Sequence, residues 1–126
     1  MSSSAFARRT SPRRGFSLPD DCLFCRLYKE GDHVGATDGF VAIKDINPKA
    51  DAHLLVIPER HVDTFREVGD FSADESQRML AFVADTAKQA GLDDYRVVVN
   101  VGEGGGQTIF HLHWHVLGGR LHGIPG

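Results

Sequence analysis

Three histidines alternate with large apolar residues in the segment His111–Leu117, which reads His-Leu-His-Trp-His-Val-Leu. Successive side chains of an extended strand point to opposite faces, so His111, His113 and His115 should share one face. We expect the apolar row to be buried against a core while the imidazoles stay exposed at a cleft. A single strand histidine is usually structural, but three in strict alternation indicate a site for metal binding, phosphate binding or nucleophilic catalysis.

A glycine-rich loop, Gly102–Gly106, precedes these histidines. Glycines let backbone N–H groups approach a ligand closely, and such donors can hold phosphate oxygens. Asn100 and Thr108 add side-chain donors on either side of the loop. A neutral imidazole is a nucleophile towards phosphorus, and a second imidazole can bind the developing negative charge together with backbone N–H groups. The loop and the histidines together therefore favour chemistry at a phosphate group.

Composition indicates one ordinary globular domain of 126 residues, with 41% hydrophobic and 25% charged residues. The formal net charge of −3 gives no electrostatic case for binding nucleic acid or an anionic membrane. No apolar run approaches the ~20 residues that span a bilayer. We expect residues 1–17, rich in arginine and serine, to be a disordered or targeting tail, and residues 18–126 to form the domain. A cytoplasmic location is expected, or a mitochondrial one if the tail is a transit peptide.

The order of predicted elements gives an α+β fold with an antiparallel sheet and helices on one face. A capping box at Ser72–Glu75 starts one long helix, and Gly91 ends it. An Asp-Gly turn at 38–39 indicates a hairpin. The predicted elements are a short helix at 22–29, strands at 34–37, 40–46, 53–57 and 95–100, a long helix at 73–90, and the histidine strand. The apolar stripe of the long helix comprises Met79, Leu80, Phe82, Val83, Thr86 and Ala87.

The segment His111–Leu117 resembles the signature of the histidine triad (HIT) family of nucleotide hydrolases and transferases. Other segments resemble its nucleotide-binding branch, whose members are typically homodimeric purine nucleoside phosphoramidases. These segments are Asp45–Pro48, His53–Pro58, Val98–Asn100, Gly105–Gln107 and His115–Arg120. The resemblance runs from about Asp21 to Arg120. It implies a HIT-like antiparallel sheet with one long helix and a short N-terminal helix.

The resemblance also implies a mechanism. His113 would attack the α-phosphorus of an adenosine 5′-phosphoramidate, an amine would leave, and water would release AMP from the covalent intermediate. His115, His53 and Asn100 would hold phosphate oxygens. Thr108, with the backbone of Gly106, would lie near the leaving group.

A purine nucleotide pocket and a homodimer follow from the same resemblance. Asp45 matches the ribose-binding acid of the family, and the apolar residues that match its purine pocket are Leu23, Phe24, Leu27, Ile43 and Ile46. Each of these apolar residues, taken singly, would also fit an ordinary core. The long helix and the strand at 95–100 are the candidate dimer interface. Alternative functions are hydrolysis of dinucleoside polyphosphates, nucleotidyl transfer, or a nucleotide-binding scaffold with incidental turnover.

This sequence departs from the branch at two places. Threonine stands at position 108, where serine is usual, so the hydroxyl is kept and a methyl group is added. The segment 121–126 has no aromatic residue, whereas animal members of the family carry a tryptophan near the C-terminus. These differences concern the leaving-group side and the range of substrates.

The two cysteines, Cys22 and Cys25, are too close in sequence to close a useful disulfide loop. Their spacing is typical of a reduced metal-binding or redox pair. The resemblance implies a structural zinc site completed by His61 and His111, with no organic cofactor. The alternative is two free thiols, with His111 hydrogen-bonded to the backbone.

Overall fold

The computed structural model describes residues 21–125, and five strands there form one antiparallel sheet in the order β1-β2-β3-β5-β4. The principal elements are α1 (Leu23–Glu30), β1 (His33–Thr37), β2 (Phe40–Lys44), β3 (Ala50–Pro58), α2 (Ala73–Gln89), β4 (Arg96–Val98) and β5 (Trp114–Leu121). Short 3-10 turns lie at Phe65–Asp70 and Glu103–Gly105. The predicted α+β class is confirmed. The predicted tail, residues 1–17, and the boundary at residue 18 lie outside the described residues.

Local signals placed several elements correctly. Thr37 pairs with Phe40 across the predicted two-residue turn, where Gly39 has a φ of 92°. The capping box of α2 is formed, because the Ser72 side chain accepts from the Glu75 backbone while the Glu75 side chain accepts from the Ser72 backbone. Gly91 follows α2 with a φ of 77°, a conformation that favours glycine.

The apolar stripe of α2 is buried against the sheet except at one position. Met79, Phe82, Val83 and the Thr86–Ala87 pair are buried, but Leu80 is 54% exposed. Leu80 lies about 100° around the helix from Met79, at the margin of the buried stripe. Including Leu80 in the buried stripe was therefore wrong. No helix within residues 21–125 is both long enough and apolar enough to cross a membrane.

The sheet is covered on both faces, so the prediction of helices on one face is wrong. Ala42 belongs to the apolar cluster beneath α2, whereas Val41 and Ile43 belong to the cluster that contains Phe24 of α1. Four of the five residues of β2 are buried. Such a continuous apolar run is typical of a strand buried on both faces, whereas a strand with one solvated face alternates.

The histidine strand begins later than predicted. At the N-terminal end of β5, the first residue that pairs with β3 is Trp114, which lies opposite Val56. Before it, the N–H of Leu112 donates to the carbonyl of Val62 at 2.8 Å, so the chain leaves β3 for the next loop. His111 and His113 therefore precede β5. The alternation survives, since Leu112, like Trp114, packs in the cluster under α2.

Candidate active site and metal centre

Four potential metal ligands converge on the α1 side of the sheet: Cys22, Cys25, His61 and His111. Their ligand atoms all lie within 4.8 Å of one another, and both thiols are free. The Sγ atom of Cys22 is 3.3 Å from Nδ1 of His111, and that of Cys25 is 3.3 Å from Nδ1 of His61. α1 supplies the thiols, the segment after β3 supplies His61, and the segment before β5 supplies His111.

Hydrogen bonds on the far side of each ring fix which nitrogen faces the thiols. Nε2 of His111 donates to the carbonyl of Pro58 at 2.8 Å, and Nε2 of His61 donates to Oδ1 of Asp63 at 3.0 Å. In the neutral rings both Nδ1 atoms then carry lone pairs, and these two atoms are 3.0 Å apart. A carboxylate behind a ligating histidine is the usual outer partner of a zinc site.

This donor set fits a tetrahedral zinc ion. Zinc bond lengths place two nitrogen ligands about 3.3 Å apart and a sulfur and a nitrogen about 3.6 Å apart. The nitrogens of His61 and His111 are 3.0 Å apart, and the sulfur of Cys25 is 3.5 Å from Nδ1 of His111. Two sulfurs and two nitrogens are a donor set that zinc prefers, and four protein ligands make a closed, structural site.

The two groups with shifted pKa values differ in their readiness to bind a cation. The pKa of His111 is lowered to about 4, chiefly by burial and also by the neighbouring His61 and His113, against the opposing effect of the carbonyl of Pro58. The ring is therefore neutral and available as a ligand at neutral pH. Burial, together with Cys22, raises the pKa of the Cys25 thiol to about 12. Without a cation this thiol keeps its proton, so metal binding should release it.

The predicted exposure of His113 is wrong, because its side chain is only 4% exposed. The ring of Phe24 meets it edge-on, with centroids 4.9 Å apart, and the ring of His115 lies at 5.0 Å. Nδ1 of His113 donates to the carbonyl of His111 at 2.7 Å. A carbonyl can only accept, so in the neutral ring the lone pair is on Nε2, the atom suited to nucleophilic attack.

His53 and His115 form a hydrogen-bonded pair in which Nε2 carries the proton, whereas in His113 the proton is on Nδ1. The backbone N–H of Lys49 donates to Nδ1 of His53 at 2.9 Å, so the proton of the neutral His53 ring is on Nε2. That Nε2 donates to Nδ1 of His115 at 2.9 Å, and Oδ2 of Asp45 lies 3.4 Å from it. Nε2 of the neutral His115 ring then carries a proton and can donate to an anionic oxygen.

This second cluster suits an oxyanion better than a metal. Although Asp45, His53 and His115 are close enough to share an ion, the ring nitrogen that His53 presents is protonated. Burial lowers the pKa of His53, with Lys49 and His113 adding to the effect and Asp45 opposing it. The lowered pKa favours the neutral His53 ring. A neutral His53 accepts from the N–H of Lys49 and donates to His115.

The glycine loop approaches Asn100. Gly106 has a φ of 91°, and a Cβ built there would lie 3.7 Å from Nδ2 of Asn100. The same amide nitrogen donates to the carbonyl of Pro125 at 2.7 Å. Thr108 is exposed. Asn100 and Gly106 are thus adjacent, and both already have acceptors, since the N–H of Gly106 donates to the carbonyl of Glu103 at 3.0 Å.

The residues predicted for the purine pocket separate into two groups. Phe24 and Ile43 are buried in the cluster beneath α1, and Leu27 packs against that cluster. Leu23 is exposed on α1, and Ile46 is fully exposed after the end of β2. Three of the five residues therefore belong to one apolar cluster, in which Phe24 contacts His113.

Sequence reasoning missed two residues that hold the site together. Gln107 is buried, accepts from the N–H of Gly102 at 2.9 Å, and donates to the carbonyls of Asp63 and Ile109 at 2.7 and 2.9 Å. It thereby joins the glycine loop to the segment that carries His61. The Asp63 carboxylate orients His61, and the His-x-Asp spacing after a strand is the signal that could have indicated it.

Comparisons with known proteins give the family. Residues 27–122 match the HIT domain family. The chain is 36% identical to protein HitA of Neisseria gonorrhoeae, over 79% of this chain and 96% of that protein. It is 35% identical to the purine nucleoside phosphoramidase of Escherichia coli K12, over 82% of this chain and 91% of that enzyme. The chain therefore belongs to the HIT family, as its motifs predict.

Solved structures agree with this assignment. A HIT family hydrolase from Legionella pneumophila has a TM-score of 0.68 and 37% identity, covering 82% of this chain and 97% of that chain. A histidine triad nucleotide-binding protein from Candida albicans has a TM-score of 0.67 and 27% identity, covering 75% and 72%. A zinc-bound histidine triad family protein from Mycobacterium smegmatis has a TM-score of 0.65 and 27% identity, covering 81% and 77%. The predicted HIT-like fold is confirmed.

Proposed function

We propose that the protein is a hydrolase that cleaves the P–N bond of adenosine 5′-phosphoramidates through a covalent nucleotidyl–His113 intermediate. The observation that carries this proposal is the 2.7 Å hydrogen bond from Nδ1 of His113 to the carbonyl of His111, which leaves the lone pair on Nε2. The likeness to a purine nucleoside phosphoramidase supports the choice of substrate. Because His113 is only 4% exposed, the phosphorus must reach Nε2 past the neighbouring rings of Phe24 and His115.

The reaction proceeds in two displacements. Nε2 of His113 attacks the α-phosphorus, the P–N bond breaks, and the leaving nitrogen takes up a proton and departs as an amine. Water then attacks the same phosphorus, the P–Nε2 bond breaks, and AMP is released. Nε2–H of His115 and the Asn100 amide hold the phosphate oxygens, with His53 orienting His115, and the backbone of Gly106 lies near the leaving group. Thr108 lies on the leaving-group side.

The nucleoside lies beside α1. The purine contacts residues from α1 and from the end of β2: Leu23, Phe24, Leu27, Ile43 and Ile46. Asp45 binds the ribose hydroxyls, and its Oδ1 already accepts from the backbone N–H of Asn47 at 2.8 Å, which holds the carboxylate in place. An ionised carboxylate accepts strong hydrogen bonds from hydroxyl groups.

A structural zinc ion completes the proposal. The thiolates of Cys22 and Cys25 and the Nδ1 atoms of His61 and His111 would hold it, and it would supply a fixed link between α1 and the segment before β5. Support comes from the geometry of the donor set and from the zinc-bound relative. Metal analysis of protein never exposed to chelator should give one zinc per chain, and clearly substoichiometric zinc would contradict the site.

A homodimer is the proposed assembly. β4 is an edge strand of the sheet and exposes Val97 beside Tyr95, which suits pairing with a second copy of the chain. Light scattering after size-exclusion chromatography should give twice the chain mass, and a monomer at micromolar concentration would contradict it. The proposed compartment is the cytoplasm, which a fusion of residues 1–17 to a fluorescent protein would test against the mitochondrial alternative.

The nucleophile is tested by comparing two histidine variants. His113→Ala should lose AMP release from adenosine 5′-phosphoramidate by about 10³-fold or more, as for other nucleophile deletions. His122→Ala is the matched control, since His122 is exposed and pairs only with Asp51 in the part of the chain described. Both variants should melt cooperatively. Full turnover by His113→Ala would overturn the mechanism.

The substrate is tested by assaying AMP amidates, GMP amidates and diadenosine polyphosphates side by side. The proposal predicts that the amidates have the higher kcat/KM. Faster cleavage of the polyphosphates would favour the dinucleoside hydrolase alternative. Tight nucleotide binding without turnover of any of these compounds would favour the scaffold alternative.

A further inference from the structure

The metal ligands of α1 lie on either side of the residue that covers the nucleophile. Cys22 is the N-cap of α1, and its Sγ accepts from the backbone N–H of Cys25 at 3.3 Å. Phe24 lies between the two cysteines and is the buried residue of the helix. Its ring meets His113 edge-on at 4.9 Å and His111 at 6.2 Å. Any movement of the two thiols therefore moves Phe24 relative to His113.

α1 depends on such anchors for its position. It has only eight residues, and isolated helices shorter than about 12 residues are marginal in water. Its contacts with the sheet come from Cys22 and Phe24, with Cys25, Leu27 and Tyr28 packed at the margin of the cluster. A metal ion bound to both thiols would add a strong link at one end of this short helix.

His111 provides a second connection. Its Nδ1 faces the thiols, while its backbone carbonyl accepts the Nδ1 proton of His113 at 2.7 Å. The side chain that would hold the metal and the carbonyl that selects the tautomer of the nucleophile thus belong to one residue. Fixing His111 through a metal fixes the acceptor on which the Nε2 lone pair of His113 depends.

We propose that zinc binding and nucleotide binding are thermodynamically coupled, each raising the affinity for the other, with Phe24 as the positioning residue that connects the two sites. This inference rests on the proposed function, since it takes the nucleotide to bind beside Phe24. Metal and nucleotide both favour the same placement of α1, so the coupling is positive. Linkage requires the two effects to be equal in size.

The coupling is measured on the full chain with zinc and AMP as ligands. The Kd for zinc, obtained by competition with a chromogenic chelator, should fall about fivefold or more when AMP is saturating. The Kd for AMP, from calorimetry, should fall by the same factor when zinc is bound. In Phe24→Ala, saturating AMP should change the Kd for zinc, and bound zinc the Kd for AMP, by less than about twofold. Tyr28→Leu, on the same helix but without ring contact to the triad, should retain both effects.

A nucleotide-free readout tests the connection to His113 separately. In ¹⁵N-histidine-labelled wild-type protein, removing zinc should broaden or shift the Nδ1–H signal of His113, because its acceptor carbonyl on His111 is released. In Phe24→Ala that signal should already be perturbed with zinc bound. An unchanged His113 signal on zinc removal would overturn the inference.

The outcomes separate this inference from the function itself. If AMP binds and phosphoramidate is hydrolysed, but AMP affinity is the same with and without zinc, the coupling is overturned and the proposed function stands. If zinc binds but AMP does not, and no turnover occurs, both fail. If zinc does not bind to the four residues, the zinc site and the coupling fail together while the nucleophile is still tested by turnover.

Discussion

At the scale of single residues, backbone groups decide what each histidine can do. The carbonyl of Pro58 turns Nδ1 of His111 towards the thiols, and the carbonyl of His111 leaves the lone pair of His113 on Nε2. The N–H of Lys49 makes His53 a donor to His115. In the proposed mechanism one residue type thereby provides a metal ligand, a nucleophile and an oxyanion donor within a few ångströms.

Replacing Gln107 with leucine should destabilise the fold and loosen the glycine loop. The substitution leaves the N–H of Gly102 and the carbonyls of Asp63 and Ile109 without their side-chain partner in a buried place. We expect the free energy of unfolding to fall by about 2–4 kcal/mol in urea denaturation, since each unsatisfied group costs about 1–3 kcal/mol before relaxation. Gln77→Leu, on the exposed face of α2, is the control. Equal stability of the two variants would contradict this role for Gln107.

The spacing of Cys22 and Cys25 predicted a metal-binding or redox pair, and the resemblance alone named His61 and His111, which converge with them. They did not predict the burial of His113, because that depends on where α1 places Phe24. The bond from Gln107 to the carbonyl of Asp63 was also missed, because it joins residues 44 positions apart and depends on the path of the loop. Local patterns indicate local geometry, whereas these contacts depend on how elements meet.

At the scale of elements, side-chain caps and turns were the most predictable features. The α2 capping box and the Asp-Gly hairpin turn formed as expected because each needs only four neighbouring residues. The start of β5 and the side of the sheet covered by α1 were not predicted. Both depend on long-range contacts, such as the bond from Leu112 to Val62 that draws the chain away from β3.

Removing the cap of α2 should have a modest and specific cost. Ser72→Ala deletes the side-chain acceptor for the N–H of Glu75, and N-cap substitutions of this kind cost about 1 kcal/mol. Urea denaturation should show this loss as a lower midpoint with an unchanged slope. Ser76→Ala, one turn further into the helix, should change stability by no more than about 0.5 kcal/mol. A loss as large in Ser76→Ala would show that the cap is not the cause.

In the whole molecule, the sheet separates two apolar clusters that differ in the groups around them. The cluster beneath α2 is apolar, and the cluster beneath α1 borders the thiols and the histidines. The first would stabilise the sheet regardless of ligands, while the second includes ionisable groups whose state depends on pH and metal. Stability of the metal-free protein should therefore depend on pH through the α1 side.

That dependence has a definite sign. The pKa of His111 is lowered from an ordinary value of 6.5 to about 4, so between these values the unfolded chain binds more protons than the folded chain. The free energy of unfolding of metal-free protein should fall as the pH falls from about 6.5 towards 4, by up to about 1.4 kcal/mol per pH unit for this group. His53, whose pKa is also lowered by burial, acts in the same direction.

Urea denaturation of metal-free protein across this pH range measures the slope. His111→Asn should reduce this slope by up to about 1.4 kcal/mol per pH unit, because the substitution removes one group that binds a proton in the unfolded chain. A wild-type profile that is flat between pH 4.5 and 6.5 would contradict the burial of a neutral His111 in the metal-free fold.

The central claim is that Nε2 of His113 accepts the nucleotidyl group. The most direct measurement is to quench the enzyme with alkaline denaturant during turnover of adenosine 5′-phosphoramidate and to locate the added AMP mass by peptide mass spectrometry. The account predicts an adduct on His113 in the wild-type protein and none in His113→Ala. An adduct on another residue, or rapid turnover with no adduct on His113 at any time, would contradict it.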